Sequence, residues 1–133
     1  MFLILVIILV VSLPAYSQEK QSKIQKLSQQ ADVVLKGKVV KKDAAWNQNK
    51  SRIFTKVTLH VDEYLKGHEK QKTIEITYPG GEVGDVGELY THMATFEAKE
   101  EVLVFLKKDK KNNSFQVLHG HEGKIKIVRD VEK

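Results

Sequence analysis

His119 and His121 stand two residues apart, the spacing at which two imidazoles on an extended strand share a face and can chelate zinc. His92 is the candidate for a third ligand. Gly120 between the pair reads as a turn, however, and no third ligand comes at a metal-motif spacing, so solvent-exposed turn histidines are the preferred reading. His60 falls on a polar strand face and His68 in a polar loop. Carboxylates adjoin at Asp62-Glu63 and Glu100-Glu101, but neighbours at a strand end point to opposite faces and do not form an acid–base pair. Glu82 and Asp85 lie in a glycine-rich stretch. Gly80, Gly81, Gly84 and Gly87 resemble a phosphate loop only in density: no GK[ST] follows and no helix pattern opens after them. Cysteine, G-x-S-x-G and H-E-x-x-H are all missing from the sequence. The expectation is a chain with no catalytic residue and no cofactor. Its only metal candidates, His119 and His121, are weak ones; with a carboxylate they would make a metal-dependent hydrolase the remaining catalytic reading.

The elements that must carry these residues read as strands. Ile53, Thr55, Val57, Leu59 and Val61 alternate with Phe54, Lys56, Thr58, His60 and Asp62, a period of two that marks one buried and one wet face. Alternation resumes at Ile74, Ile76 and Tyr78 and stops at Pro79-Gly80-Gly81, predicting an antiparallel pair. Before it, Val33, Leu35, Gly37 and Val39 line one face of a first strand, with Gly37 marking a bend or bulge. Ala44 to Ser51 reads as a polar connection, Pro79 to Gly87 as a turned loop, and LYTHMATF (Leu89 to Phe96) as a short strand. Glu101 to Leu106, EVLVFL, is apolar between charges and predicts a strand buried on both faces. Lys107 to Ser114 is a hairpin connection, Phe115 and Val117 begin another strand, Gly120 to Gly123 turns the chain, and KIKIV ends it. Ile24, Leu27 and Ala31 fall at helical spacing in a polar lead-in. The sum is an all-β domain with a short flanking helix.

The chain has 133 residues, one domain's worth. Phe2 to Leu13 is apolar apart from Ser12, Pro14 breaks the run, and Ala15-Tyr16-Ser17 places small residues at a cleavage site. The run is little more than half of the roughly 20 residues a bilayer needs, so it reads as a signal peptide cut after Ser17, although no Lys or Arg precedes it. The expected division is residues 1–17 signal peptide, 18–30 lead-in or short helix, and 31–133 barrel domain. The expected location is secreted or periplasmic, with membrane contact only through an uncleaved signal segment. The absence of cysteine excludes a disulfide scaffold and thiol chemistry, and fits a bacterial exported protein better than an animal extracellular one. The net charge of +5 is diffuse, a solubility feature rather than a mark of nucleic-acid recognition.

Four stretches taken in order resemble the tissue-inhibitor-of-metalloproteinase and netrin-like family. They are ADVVLKGKVVKK (Ala31 to Lys42), FTKVTLHVDEYLKG (Phe54 to Gly67), TIEITYPGGEVG (Thr73 to Gly84) and EVLVFL (Glu101 to Leu106). The pattern is similar above all to small exported bacterial domains of that type. The resemblance implies a five- to six-stranded Greek-key OB-type barrel with a flanking helix, and a role in binding proteins outside the cell. It carries no functional residue across, because the inhibitors grip zinc through an N-terminal cysteine and this chain has none.

The expected function is therefore an exported, non-enzymatic protein-binding module whose partner is another exported or surface protein, a metalloproteinase being the class the resemblance points to. Contacts are expected from Ala44 to Ser51, Pro79 to Gly87 and Leu89 to Phe96, since loops at a barrel end are held by a rigid scaffold. Trp46, Tyr90 and Met93 are the candidate apolar anchors, with Glu82 and Val83 beside them; core or rim packing is the alternative role for the three anchors. A second reading is polyanion binding through Lys36, Lys38, Lys41, Lys42 and Lys56 on the outer face.

Overall fold

Alternating side chains give the chain its long strands, and bulges curl them into a ring. The structure, a computed structural model, describes residues 15–67, 69–111 and 113–128, with side chains from residue 22 onward. The apolar run Phe2 to Leu13 and His68 lie outside the described residues. Helix α1 (Ala15–Gln30) begins in time for the expected cleavage point after Ser17 to fall in its first turn. Eight strands follow: β1 (Val33–Trp46), β2 (Ile53–Lys66), β3 (Thr73–Pro79), β4 (Gly81–Val83), β5 (Val86–Glu88), β6 (Glu101–Asp109), β7 (Ser114–Val117) and β8 (Lys124–Lys126). A 3-10 turn (Gly120–Gly123) precedes β8.

The main sheet runs β1-β2-β3-β7-β6-β8 and closes through a second pairing of β1 with β6. Every pairing in it is antiparallel except the β3–β7 seam, which is parallel and rests on one bridge, Ile76 to Phe115. Curvature comes from β1, whose register against β2 shifts beside Val34, at Lys36/Gly37 and between Val39 and Lys41. Gly37 is required there by proximity: a Cβ on it would lie 2.8 Å from the His60 carbonyl oxygen.

Inside the ring, Leu35, Val39, Val57, Leu59, Ile74, Ile76, Val102, Val104, Leu106 and Phe115 form the core. Outside it, Leu27 of α1 and Ala31 just after the helix pack with Val34 and Phe105, so β6 is buried on both faces as its sequence predicts. Two polar contacts fix the helix end. Lys66 Nζ donates to the carbonyls of Ser28 (2.7 Å) and Gln29 (3.3 Å), supplying the cation that the last turn of α1 lacks. Asp32 accepts a hydrogen bond from the Lys108 backbone N–H at 2.9 Å and faces Lys107 Nζ at 3.7 Å. The Lys108 N–H and the Lys107 charge together hold its carboxyl below the usual aspartate range.

The connections depart from the sequence reading in three places. β1 continues through Ala44 and Ala45 to Trp46, because Ala44 and Trp46 find partners in Thr55 and Ile53; the polar link shortens to residues 47–52. There Asn47 Oδ1 accepts from the backbone N–H of Ser51 (2.8 Å) and Arg52 (3.1 Å). The glycine stretch after Pro79 is not a plain loop but the small hairpin β4–β5, with Val83 opposite Val86. Leu89 to Phe96 forms no strand: His92 takes a φ of 63°, which breaks the extended run, and the segment instead drops Ala94 and Phe96 into the barrel. Phe96 is fully buried with its ring centroid 6.1 Å from that of Tyr78.

Candidate functional site

The plugging of the barrel by Phe96 leaves a groove beside it, and that groove is the candidate site. An open depression of about 760 Å³ runs between Tyr78, Pro79 and Gly80 on one side and Leu89, Tyr90 and Met93 on the other, with Lys42 and Thr55 in its wall. Thr55 is buried and donates its hydroxyl to the Gly80 carbonyl at 2.7 Å, fixing the turn out of β3. Tyr90 is set by a chain of polar contacts. Arg52 Nη1 donates to its hydroxyl at 2.8 Å; the hydroxyl donates to Glu88 Oε2 at 3.4 Å; and the same Oε2 accepts the Ile53 N–H at 3.1 Å. A tyrosine held in this way offers its ring at low entropic cost. Leu89 next to it is 91% exposed, the most exposed large apolar side chain among the described residues.

The far end of the groove-lining segment is pinned by charge. Glu100 is a buried acid whose Oε1 lies 2.5 Å from Lys124 Nζ and whose Oε2 lies 4.0 Å from Lys126 Nζ. Lys124 also donates to the Thr95 carbonyl and sits 4.8 Å from the centre of the Phe96 ring. The contact of Oε1 with Lys124 is close but off hydrogen-bond alignment. One lysine from β8 thus ties down Thr95, Phe96 and Glu100, the stretch just after Met93.

Of the residues singled out from sequence, Glu82, Tyr90 and Met93 line the groove. Trp46 does not: it ends β1 opposite Ile53 and is 36% exposed. Val83 is half-buried in the β4–β5 hairpin and faces Val86 rather than the groove lining. The five lysines also divide. Lys36, Lys38 and Lys56 are exposed on the outer face, but each is paired across strands with or next to an acid: Lys36 with Glu63, Lys38 with Glu101, Lys56 with Asp43. Lys41 itself pairs with Asp43 at 3.3 Å. The bulge after Val39 turns Lys42 to the inner register, opposite Val57, and into the groove. The expected basic face is therefore an alternating one, lacking Lys42.

The histidines are rearranged as well. His119 (φ 54°) and Gly120 (φ 62°) are both left-handed, so residues 119 and 121 share no strand face. His119 Nε2 lies 2.6 Å from Gln30 Oε1 on α1, whereas His121 lies against His92, their ring centroids 5.7 Å apart. Among the described residues no group of three His, Cys, Asp or Glu side chains is placed to hold a metal ion, and no helix is long and apolar enough to cross a membrane.

Sequence reading missed Arg52 and Glu88 as site residues, since their partners Tyr90 and Ile53 lie 38 and 35 residues away in the chain; Leu89 opens one of the expected contact segments. Comparison with known protein families, characterised proteins and solved structures finds no match to this chain.

Proposed function

We propose that this chain is an exported, non-enzymatic protein-binding module on an OB-type Greek-key barrel, and that its partner docks in the groove between Tyr78 and Met93. The ring order supports the barrel type: counted along the chain, its strands close in the order first, second, third, fifth, fourth, with the parallel contact between third and fifth. The ordered resemblance to netrin-like domains supports the same reading, and the apolar run Phe2 to Leu13 supports export.

One observation carries the functional part. Leu89 stands almost fully in solvent beside a hydrogen-bonded Tyr90 and a half-buried Met93, on a segment anchored at Thr95 and Glu100. An exposed apolar side chain on a rigid rim, next to an ordered aromatic, has the make-up of a protein interface. The polyanion reading is weaker, because acids alternate with the outer-face lysines and dilute their field. The hydrolase reading is weaker too, since His119 is turned to Gln30 and away from His121.

A panel of secreted zinc metalloproteinases tests the partner class. Stoichiometric inhibition by the wild-type protein, weakened by Leu89→Asp, is the expected result for that class. Absence of binding at micromolar protein removes metalloproteinases as the partner, and inhibition indifferent to Leu89→Asp removes the groove as the contact.

A further inference from the structure

Two histidines 29 positions apart meet beside the groove. His92 sits at a left-handed φ of 63°, and its carbonyl accepts the backbone N–H of His121 at 2.9 Å. Gly120 makes that approach possible, because any Cβ there would collide with the His92 carbonyl. The same carbonyl lies 3.2 Å from His121 Nδ1. An Nδ1–H donating to it leaves the lone pair on Nε2, which is the arrangement found behind metal-bound imidazoles: one ring nitrogen fixed by a carbonyl, the other free to ligate. Both rings are exposed, with centroids 5.7 Å apart and planes tilted by 34°. Two imidazoles on one ion at the usual metal–nitrogen distance have centroids about 5 Å apart, close to the 5.7 Å separation of this pair.

We propose that His92 and His121 form a bidentate site for a borderline divalent transition-metal cation, Zn²⁺, Cu²⁺ or Ni²⁺, with water completing the coordination. Neutral imidazole suits these ions rather than Mg²⁺ or Ca²⁺. The site differs from the one the sequence suggests: His119 is engaged by Gln30 and takes no part. A bound ion ties the segment carrying Met93 to the 3-10 turn, and so stiffens one wall of the groove.

Calorimetric titration of the intact protein with Cu²⁺, Ni²⁺ and Zn²⁺ salts is the test, read against three single variants. Wild type and His119→Ala are expected to bind one ion with equal affinity. His92→Ala and His121→Ala are each expected to weaken binding about tenfold or more, since losing one ligand removes the chelate. The Cu²⁺ complex of the wild type should show nitrogen coupling from two imidazoles by electron paramagnetic resonance. All three residues are exposed, and circular dichroism of each variant checks that the fold is kept. No binding by the wild type, binding that survives both His92→Ala and His121→Ala, or loss confined to His119→Ala would each overturn the proposal.

Discussion

Lys124 Nζ lies 2.5 Å from the buried Glu100 carboxylate, joining the last strand to the end of the segment that lines the groove. This ion pair does more than add charge attraction, because the same ammonium holds the Thr95 carbonyl and covers Phe96. That contact anchors the chain just beyond the groove-lining Met93 and Thr95.

Glu100→Ala leaves Lys124, itself only 15% exposed, without its counter-charge. Breaking a buried pair from one side costs about 3–5 kcal/mol, and the partial exposure of Lys124 puts this case near 3 kcal/mol. Urea unfolding measures it. A loss below about 1 kcal/mol would mean that the pair behaves as a surface one.

Gly37→Ala brings a Cβ to 2.8 Å from the His60 carbonyl, at the bulge where β1 bends against β2. The expected loss is about 1–3 kcal/mol of unfolding free energy, the range for overpacking. An unchanged denaturation midpoint would show that the two strands separate easily at this point, contrary to the closed ring.

Leu27→Ala removes the side chain that seats α1 on Val34 and Phe105 and should lower stability by about 2–3 kcal/mol. Ile24, on the open side of the same helix and 42% exposed, gives the control: Ile24→Ala is expected to change stability by about 0.5 kcal/mol or less. Equal effects at the two positions would place the helix elsewhere.

Asp32 has its carboxyl pKa depressed in the fold by the Lys108 N–H, with Lys107 adding to it. A depressed folded value makes the contribution to stability complete above the unfolded aspartate value, about 3.9, and lost as pH falls through the lower folded value. Acid titration of stability should thus show a smaller decline below about pH 4 in Asp32→Asn than in the wild type. Parallel curves for the two proteins would contradict the contact.

Much of the barrel was legible in the sequence because its strands obey period two: the inward residues Leu35, Val57, Leu59, Ile74 and Ile76 alternate with polar ones, and Gly37 marks the bulge. The double burial of β6 was legible from EVLVFL, whose Phe105 turns out to face α1. Other features depend on pairings that leave no local trace. The β3–β7 seam rests on the single bridge from Ile76 to Phe115, and the run from Leu89 to Phe96 alternates but is broken by the left-handed His92. The site was half legible. Tyr90 and Met93 stand out by type, but what orders Tyr90 is Arg52, 38 positions earlier. His119 and His121 looked paired by spacing, and two consecutive left-handed residues separate them and give His121 to His92.

The central claim, that the groove is a protein contact, is tested most directly by photo-crosslinking. A photoreactive side chain replaces Leu89 in the intact protein, and a second version carries it at Lys38 on the outer face. The account predicts a covalent adduct with another protein from position 89 and none from position 38. Adducts from position 38 alone, or none from position 89, would contradict it.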